Sequence, residues 1–244
     1  MSRSIFLAGA SGAVGRRLVP LLVKAGHRVV GTTRSKDKAE ALRALGAEPA
    51  IVDVFDMAAL KDAMQMAAPD VVIHQLTDLS LLSDPAKLAE ALERNARLRI
   101  EGTANLVAGA LLSGARRLVA QSISFVYAPG KQPYRESDPL NFGDPQRKRT
   151  VEAVAVLERE VTRTSGIDGV VLRYGHFYGP GTGRERAEAP PKGALHVDAA
   201  AHAALLAVEH GRAGIYNIAE DDGDVVIEKA RTEFGFDPAF RLTG

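Results

Sequence analysis

The sequence predicts an α/β fold, a doubly wound parallel sheet with helices on both faces. Short continuous apolar runs, typical of strands buried on both faces, alternate along the chain with segments of helical periodicity. The first apolar run ends at three glycines, Gly9, Gly12 and Gly15, and a helical pattern begins at once. Right-handed crossovers between such units produce a doubly wound sheet, in which ligands bind beyond the carboxyl ends of the strands.

The strands and helices are expected in a regular order. The predicted strands are residues 5–8, 28–32, 50–52, 71–74, 117–121, 170–173 and 215–218. The predicted helices lie near residues 13–25, 36–45, 57–67, 86–113 and 147–164, with an alanine-rich helix after His196. In the first helix, Val14, Leu18 and Leu21 recur at helical spacing on one face, and Gly26 ends the helix.

Length, composition and charge predict a soluble globular protein. Its 244 residues, 46% of them hydrophobic, suffice for one large domain or a domain with a small appendage. The net charge of +1 gives no reason to expect a nucleic acid partner, and no apolar stretch reaches the ~18 residues of a membrane span. We therefore expect a cytoplasmic protein without a signal peptide. The chain has no cysteine and its histidines are scattered, so we expect no metal site.

The glycine segment indicates a dinucleotide site. Glycine lets the backbone turn sharply and approach a pyrophosphate, and the N–H groups at the start of a helix attract phosphate. The spacing here is Gly-x-x-Gly-x-x-Gly, with no lysine of the Walker type after it. The alternative is an ordinary glycine turn between a strand and a helix.

The residues after the second and third predicted strands indicate NADP rather than NAD. The second strand ends at Thr33 and Arg34, without the carboxylate that usually binds the ribose 2′-hydroxyl of NAD. An arginine can pair with the 2′-phosphate of NADP, although Arg34 could also be an ordinary surface residue. Asp53, after the third strand, is placed to accept from an adenine amino group. Its alternative role is a turn or helix cap, for which Asp56 is the better candidate.

Several motifs together resemble one superfamily. They are the glycine pattern, Asp53, His74 after the fourth strand, and the run from Leu172 to Pro180, Leu-Arg-Tyr-Gly-His-Phe-Tyr-Gly-Pro. This combination is similar to the short-chain dehydrogenase/reductase superfamily, in particular its extended branch of NAD(P)-dependent epimerases and dehydratases. The resemblance implies a Rossmann domain over residues 1–175. Residues 176–244 would form a reduced substrate region, partly integrated with that domain.

The resemblance also implies a set of cofactor-binding residues, most of which follow strand ends. The pyrophosphate would be bound by Gly9, Ser11, Gly12, Ala13, Val14 and Gly15. The adenosine end would be bound by Arg34, Asp53 and Val54, and the nicotinamide end by Leu76, Thr77, Lys148, Tyr174, Gly175 and His176.

The catalytic pattern of the superfamily is incomplete in this chain. Its members use a Tyr-x-x-x-Lys pair, in which the lysine binds the ribose and lowers the pKa of the tyrosine. Lys148 takes the lysine position, but Asp144 stands at the tyrosine position. Tyr127 and Tyr134 are the tyrosines of the preceding loop.

Other positions of the pattern are changed as well. Ile123 occupies the position of the upstream serine or threonine, with Ser122 and Ser124 on either side of it. The position of a structural asparagine holds Arg99, and Asn95 lies one turn earlier. The candidate catalytic residues are therefore Ser122, Ser124, Tyr127 and Lys148, although the two serines could equally be ordinary hydroxyls at a strand end.

Two functions of different classes remain open. The first is an NADP-dependent oxidoreductase acting on a small carbonyl or hydroxyl substrate, with Tyr127, His176 or water as proton donor. The second is an NADP(H)-binding sensor or scaffold without catalysis. A nucleotide-sugar epimerase or dehydratase is a weaker third, because only 16 residues separate Gly179 from His196, where relatives carry a large substrate-binding segment. The helices near 86–113 and 147–164 would form any homodimer.

Overall fold

In the computed structural model, which describes residues 2–78, 85–185 and 191–242, seven parallel strands form one sheet. These strands are β1 (Ser4–Ala8), β2 (Arg28–Thr33), β3 (Glu48–Ile51), β4 (Val71–His74), β5 (Arg117–Ile123), β6 (Asp168–Tyr174) and β9 (Gly214–Ile218). Their order is β3-β2-β1-β4-β5-β6-β9, so the direction of winding reverses between β1 and β4. The predicted doubly wound sheet is confirmed. Two short strands, β7 (His176–Tyr178) and β8 (Ala194–His196), pair separately.

Helices cover both faces of the main sheet. They are α1 (Ala13–Lys24), α2 (Lys36–Ala44), α3 (Met57–Ala67), α4 (Leu88–Arg97), α5 (Thr103–Ser113), α6 (Lys148–Arg163), α7 (Val197–Leu206) and α8 (Glu228–Phe234). The helical pattern predicted near 86–113 is present as an unbroken helical segment, although not all of it is α-helix. A 3₁₀ turn, Pro85–Lys87, precedes α4, and a π-helical turn, Leu98–Gly102, joins α4 to α5. Hydrophobic periodicity does not detect a π turn, because the chain keeps its direction and its apolar face.

The strands separate two hydrophobic layers. Ile5 and Leu7 of β1 pack with α1, α2 and α7, whereas Phe6 of the same strand packs with α3, α5 and α6. Alternate residues of one strand therefore enter different layers, and the strand is apolar along its whole length. This burial on both faces holds the carboxyl ends of β1, β4 and β5 at one rigid edge.

The C-terminal residues extend the main sheet. β9 pairs in parallel with β6, and α7 packs against α1 on the outer face of the sheet. The predicted substrate region over 176–244 thus supplies both a strand and a covering helix. α8, β7 and β8 were not predicted, because elements of three to seven residues show no readable periodicity. In the described parts of the chain, no helix combines the length and apolar character that crossing a membrane requires.

Candidate functional site

A cleft of about 600 Å³ opens at the carboxyl edge of the sheet, where the winding reverses between β1 and β4. This switch point is where doubly wound sheets bind their ligands. The following predicted cofactor residues line the cleft: Gly9, Ser11, Gly12, Ala13, Val14, Arg34, Asp53, Val54, Leu76 and Thr77. Gly15, Lys148, Tyr174, Gly175 and His176, also predicted, are not part of this lining.

The glycine loop forms a tight backbone turn into the cleft. Gly9 has φ +88°, and the Gly12 N–H donates to its carbonyl oxygen at 3.0 Å. A Cβ on Gly15 would lie 2.3 Å from the same oxygen, so a larger residue does not fit there. α1 has no side-chain cap at Gly12 and no acidic residue in its first turn. Ala13 and Val14 of this first turn line the cleft, so the positive partial charge at the start of α1 lies beside it, which suits a pyrophosphate.

Cationic side chains line the part of the cleft for which the adenosine was predicted, beside the ends of β2 and β3. Arg34 is 71% exposed and lies 3.9 Å from Asp53, which also accepts from the Phe55 N–H at 3.0 Å. An exposed pair of this kind is weak, so a ligand phosphate can replace the carboxylate as the partner of Arg34. Lys38, Arg94 and Arg97 line the same cleft.

Arg94 and Arg97 are site residues that sequence reasoning missed. Both come from α4, and the Arg97 guanidinium lies 3.8 Å from the centre of the Phe55 ring, which also lines the cleft. Their three-residue spacing puts them on one face of a helix. Nothing in the sequence, however, indicates that this face turns toward the glycine loop. Gln121 and Phe177 are further lining residues that were not predicted.

His74 fixes the segment that follows β4. Its Nδ1 accepts from the Leu76 N–H at 3.1 Å, so the ring proton is on Nε2, which donates to Thr103 Oγ1 at 3.2 Å. Burial, and to a smaller extent the charge of Arg99, lower the pKa of His74 to about 4. The neutral imidazole thus holds Leu76 and the following Thr77 at the cleft. The Asn95 amide continues this support, accepting from the Asp78 N–H at 3.0 Å.

Ser122 and Tyr127 belong to a buried polar network. Ser122 donates to Glu158 at 2.9 Å, and Glu158 receives two hydrogen bonds, of 2.8 and 2.7 Å, from Arg173. Arg173 also donates to the Tyr127 hydroxyl at 2.8 Å, and that hydroxyl donates to Asn217 at 2.5 Å. Burial raises the pKa of Tyr127. The structure therefore brings these two predicted residues together, but in a network that holds β5, α6, β6 and β9 to one another.

The hydroxyl of a second tyrosine near this edge, Tyr174, also has its hydrogen-bond partners inside the protein. The Tyr174 hydroxyl donates to the Ala200 carbonyl at 3.2 Å and accepts from Gln75 Nε2 at 3.3 Å. Burial raises its pKa well above the usual range. A neutral hydroxyl with both partners inside the protein is a structural anchor and a poor proton donor.

Four residues that were predicted for the nicotinamide end or for catalysis differ in their surroundings. Ser124 is buried, and its Oγ has no hydrogen-bond partner among the residues that the structure describes. His176 stacks on Phe125 with ring centres 4.0 Å apart, and burial lowers its pKa. Lys148 begins α6 with its side chain 62% exposed and its Nζ 4.0 Å from Glu152. Gly175 contacts the start of β8 so closely that a Cβ there would lie 2.2 Å from the Gly193 oxygen.

The fold, the glycine loop and the strand-end residues agree with what a comparison with protein families finds. A model described as the NAD dependent epimerase/dehydratase family matches residues 5–192. The chain belongs to this family. Membership supports a nicotinamide dinucleotide in the cleft and oxidoreductase chemistry. It also confirms the predicted short-chain dehydrogenase/reductase relationship.

Two curated relatives differ in how fully the chain matches them. The first is a 3-diazoavenalumate denitrifying reductase of a Streptomyces species, 43% identical over 89% of this chain and 76% of the reductase. The second is a UDP-N-acetyl-alpha-D-glucosaminuronate decarboxylase of Bacillus cytotoxicus, 28% identical over 74% of this chain. The chain spans only 56% of the decarboxylase.

Solved structures confirm the fold. The UDP-glucose 4-epimerase of Thermotoga maritima superposes with a TM-score of 0.78 at 18% identity, covering 99% of this chain and 94% of the epimerase. A short-chain dehydrogenase/reductase superfamily protein of Agrobacterium tumefaciens, with bound NAD, superposes with a TM-score of 0.75 at 20% identity, covering 99% and 93%. At these identities the likeness concerns the fold alone.

Proposed function

We propose that this family member is an NADP(H)-dependent reductase of a small organic substrate, and that its substrate class is an arene carrying a diazo or diazonium group. The observation that carries the proposal is that two tyrosine hydroxyls, those of Tyr127 after β5 and Tyr174 at the end of β6, are both hydrogen-bonded within the protein. Reduction of a carbonyl requires a proton at oxygen, which the family tyrosine usually supplies. This chain offers no comparable donor on either tyrosine.

Reduction of a diazonium carbon has a different proton balance. One hydride and one R–N₂⁺ group yield R–H and N₂, so the reacting group takes up no proton. The 43% identical relative is named a denitrifying reductase of a diazo compound, which supports the same class here. The proposed reaction therefore does not need the tyrosine in whose position this chain has Asp144.

Residues along the whole length of the cleft support NADP(H) as the proposed cofactor. Gly9, Gly12 and the first turn of α1 would bind the pyrophosphate, and Arg34 with Lys38 would bind the 2′-phosphate. Asp53 and Val54 would contact the adenine, and Leu76 and Thr77 the nicotinamide-side ribose. When bound, the reduced cofactor supplies the hydride.

The residues at the reacting end would orient the substrate. Ser124 has a buried hydroxyl without a partner in the described part of the chain, so it is our candidate for the hydrogen bond to the substrate, whereas Ser122 is already bonded to Glu158. His176, stacked on Phe125, would lie beside the nicotinamide with Tyr174 and Gly175. Lys148 would have to leave Glu152 to reach a ribose hydroxyl.

Deuterium transfer tests the proposal directly. The protein is incubated with NADPH deuterated at C4, in each of its two stereoisomers, and with either a hydroxyaryl diazonium salt or the matching hydroxybenzaldehyde. We expect deuterium in the arene from one stereoisomer of NADPH, release of N₂, and no reduction of the aldehyde. Because diazonium salts decompose unaided, the rate is measured against protein heated to inactivation. Transfer to the aldehyde alone would contradict the proposed substrate class.

A binding protein without catalysis is the second candidate. Two observations favour it: the hydroxyls of Ser122 and Tyr127 are hydrogen-bonded inside the protein, and the Lys148 side chain is exposed. Tight NADPH binding with no deuterium transfer to either substrate would support this candidate. A cytoplasmic location and a homodimer formed through α4 and α6 stay predictions, for which fractionation and light scattering are the measurements.

A further inference from the structure

Two glutamines lie side by side at the carboxyl edge of the sheet. The parallel register of β4 and β5 pairs His74 with Ala120. The next residue along each strand is a glutamine, Gln75 after β4 and Gln121 in β5, so the two are neighbours at this edge. The Gln75 N–H continues the sheet by donating to the Ala8 carbonyl at 2.8 Å. Because successive side chains alternate, both glutamines belong to the layer of α1 and α7, opposite the layer that contains His74.

Both glutamines line the cleft and are buried, and the Gln75 amide has an unused acceptor. Gln75 is 4% exposed and Gln121 is 7% exposed. Gln75 Nε2 donates to the Tyr174 hydroxyl at 3.3 Å, and that hydroxyl gives its single proton to the Ala200 carbonyl. These bonds fix the orientation of the Gln75 amide, and its Oε1 has no donor among the described residues. A buried acceptor without a donor is unfavourable, and a ligand that supplies an N–H or O–H group removes that cost.

The Gln121 amide is available as well. Its backbone pairs with Leu172 of β6, but within residues 2–78, 85–185 and 191–242 its side chain forms no hydrogen bond. Phe177 lines the same cleft, and its ring centre lies 5.4 Å from that of Tyr174. This end of the cleft therefore combines two neutral amides with an aromatic side chain, a combination that fits a flat ring carrying an amide group.

The order of the lining residues indicates which part of a dinucleotide would reach the glutamines. The glycine loop follows β1, and a Cβ on Gly9 would lie 2.6 Å from the Gln75 carbonyl oxygen, so the loop packs directly on this strand end. With phosphates at the glycine loop and at Arg34, the nicotinamide half would extend the other way, over β4 and β5. The ribose hydroxyls are assigned to the two residues that follow Gln75. The hydrogen-bonding group that remains is the carboxamide of the ring.

We propose that Gln75 and Gln121 bind the nicotinamide carboxamide, with Gln75 Oε1 accepting from its N–H₂ group and the Gln121 amide donating to its oxygen. These contacts would fix the rotation of the ring about its bond to the ribose, and so decide which face of the ring meets the substrate. The two glutamines are positioning residues, because they take no part in the transfer of hydride. The inference rests on the nicotinamide cofactor of the proposed function, but not on its substrate class.

NADP⁺ and 3-acetylpyridine adenine dinucleotide phosphate are the probes, and their binding is measured by calorimetry without turnover. In the analogue a methyl group replaces the amide nitrogen, so the carbonyl is kept but no N–H is left to donate. We expect wild-type protein to bind NADP⁺ about tenfold more tightly than the analogue, and Gln75→Met to bind the two equally. Gln121→Met should weaken both alike, because both keep the carbonyl oxygen. The matched control is Gln65→Met, on the exposed face of α3, which should change neither affinity.

The stereochemistry of deuterium transfer is a second readout. Wild-type protein should take deuterium from one C4 stereoisomer of NADPH. The double variant Gln75→Met/Gln121→Met should take it from both, because nothing then fixes the rotation of the ring. Transfer from a single stereoisomer in the double variant would contradict the positioning role.

Two binding outcomes would overturn the inference: wild-type protein that binds NADP⁺ and the analogue equally, and a tenfold preference that persists in Gln75→Met. The first needs no variant, so the test holds even if a substitution prevents folding, which thermal unfolding of each variant reveals. If no deuterium is transferred but the preference for NADP⁺ depends on Gln75, the proposed reduction falls and the carboxamide site stands. If deuterium is transferred and wild-type protein shows no preference, the reduction stands and the carboxamide site falls.

Discussion

The two ends of the cleft are built in different ways. The predicted cofactor end is mostly backbone from one continuous segment, Gly9 to Gly15, which forms the glycine turn and the start of α1. The reacting end is built from side chains of β5, α6, β6 and β9, held together by the network around Glu158 and Arg173. A site made of local backbone forms the same binding geometry wherever its sequence motif occurs. A site made of distant side chains depends on every element that supplies one.

The ion pairs at the two ends also differ. Arg34 and Asp53 are exposed and 3.9 Å apart, so their attraction is screened by water and a ligand can displace it. Glu158 and Arg173 are buried and joined by two short hydrogen bonds, so neither is free to act on a substrate. The first pair is available for binding, and the second maintains the structure around the reacting end.

The largest expected effect comes from breaking the buried pair. Glu158→Gln leaves the Arg173 charge buried without its counter-charge, which should lower the free energy of unfolding by about 3–5 kcal/mol. Urea denaturation measures this loss. The matched control is Glu93→Gln, because Glu93 also forms two hydrogen bonds with an arginine, Arg149, but on the surface. It should cause a much smaller change, and equal losses would contradict the distinction between the two kinds of pair.

A clash at the glycine loop should be nearly as damaging. Gly15→Ala places a Cβ 2.3 Å from the Gly9 oxygen and 2.6 Å from the Ala10 oxygen, so the loop must shift. We expect a loss of about 2–4 kcal/mol in the free energy of unfolding and loss of NADPH binding, measured by denaturation and nicotinamide fluorescence. Gly143→Ala is the control, since a Cβ there would meet only Asn141 Oδ1, at an ordinary contact distance of 3.8 Å. Normal NADPH affinity in the Gly15 variant would contradict the predicted pyrophosphate site.

The buried histidine should make stability depend on pH. The folded protein holds the pKa of His74 at about 4, whereas the unfolded chain binds the proton near 6.5. The unfolded state therefore binds more protons between these values, and stability falls as the pH is lowered from 6.5 toward 4. The contribution of His74 is at most about 3 kcal/mol.

Other histidines with lowered pKa values contribute to the same profile, so a difference measurement is needed. The pH profile of unfolding is compared between wild-type protein and His74→Gln, which removes the titrating group. The variant should lose less stability over this range. Parallel profiles would show that His74 is not held neutral in the folded protein.

The smallest expected effect concerns the choice of cofactor. Arg34→Gln removes the proposed partner of the 2′-phosphate, so NADPH affinity should fall by about tenfold while NADH affinity changes little. Fluorescence titration with each nucleotide measures both values. Arg43→Gln, on the exposed face of α2 next to Glu40, serves as the control. An equal loss for the two nucleotides would contradict the NADP prediction.

The sequence by itself determined the sheet, the order of its elements and the cofactor end of the site. Strand burial and helical periodicity are local patterns, and a glycine turn between a strand and a helix has one main structural meaning. Gly9, Arg34 and Asp53 could therefore be placed from their positions at strand ends alone.

Only the tertiary structure decided the state of the side chains at the reacting end. Glu158 and Arg173 lie 15 positions apart, and Tyr127 and Asn217 lie 90 positions apart. No sequence pattern couples such pairs, so the sequence could not show that the hydroxyls of Ser122 and Tyr127 are hydrogen-bonded, or that the Ser124 hydroxyl has no partner among the described residues. Local patterns identify where a ligand lies because the backbone carries that information. The state of a polar group depends on which neighbours folding brings within hydrogen-bond distance.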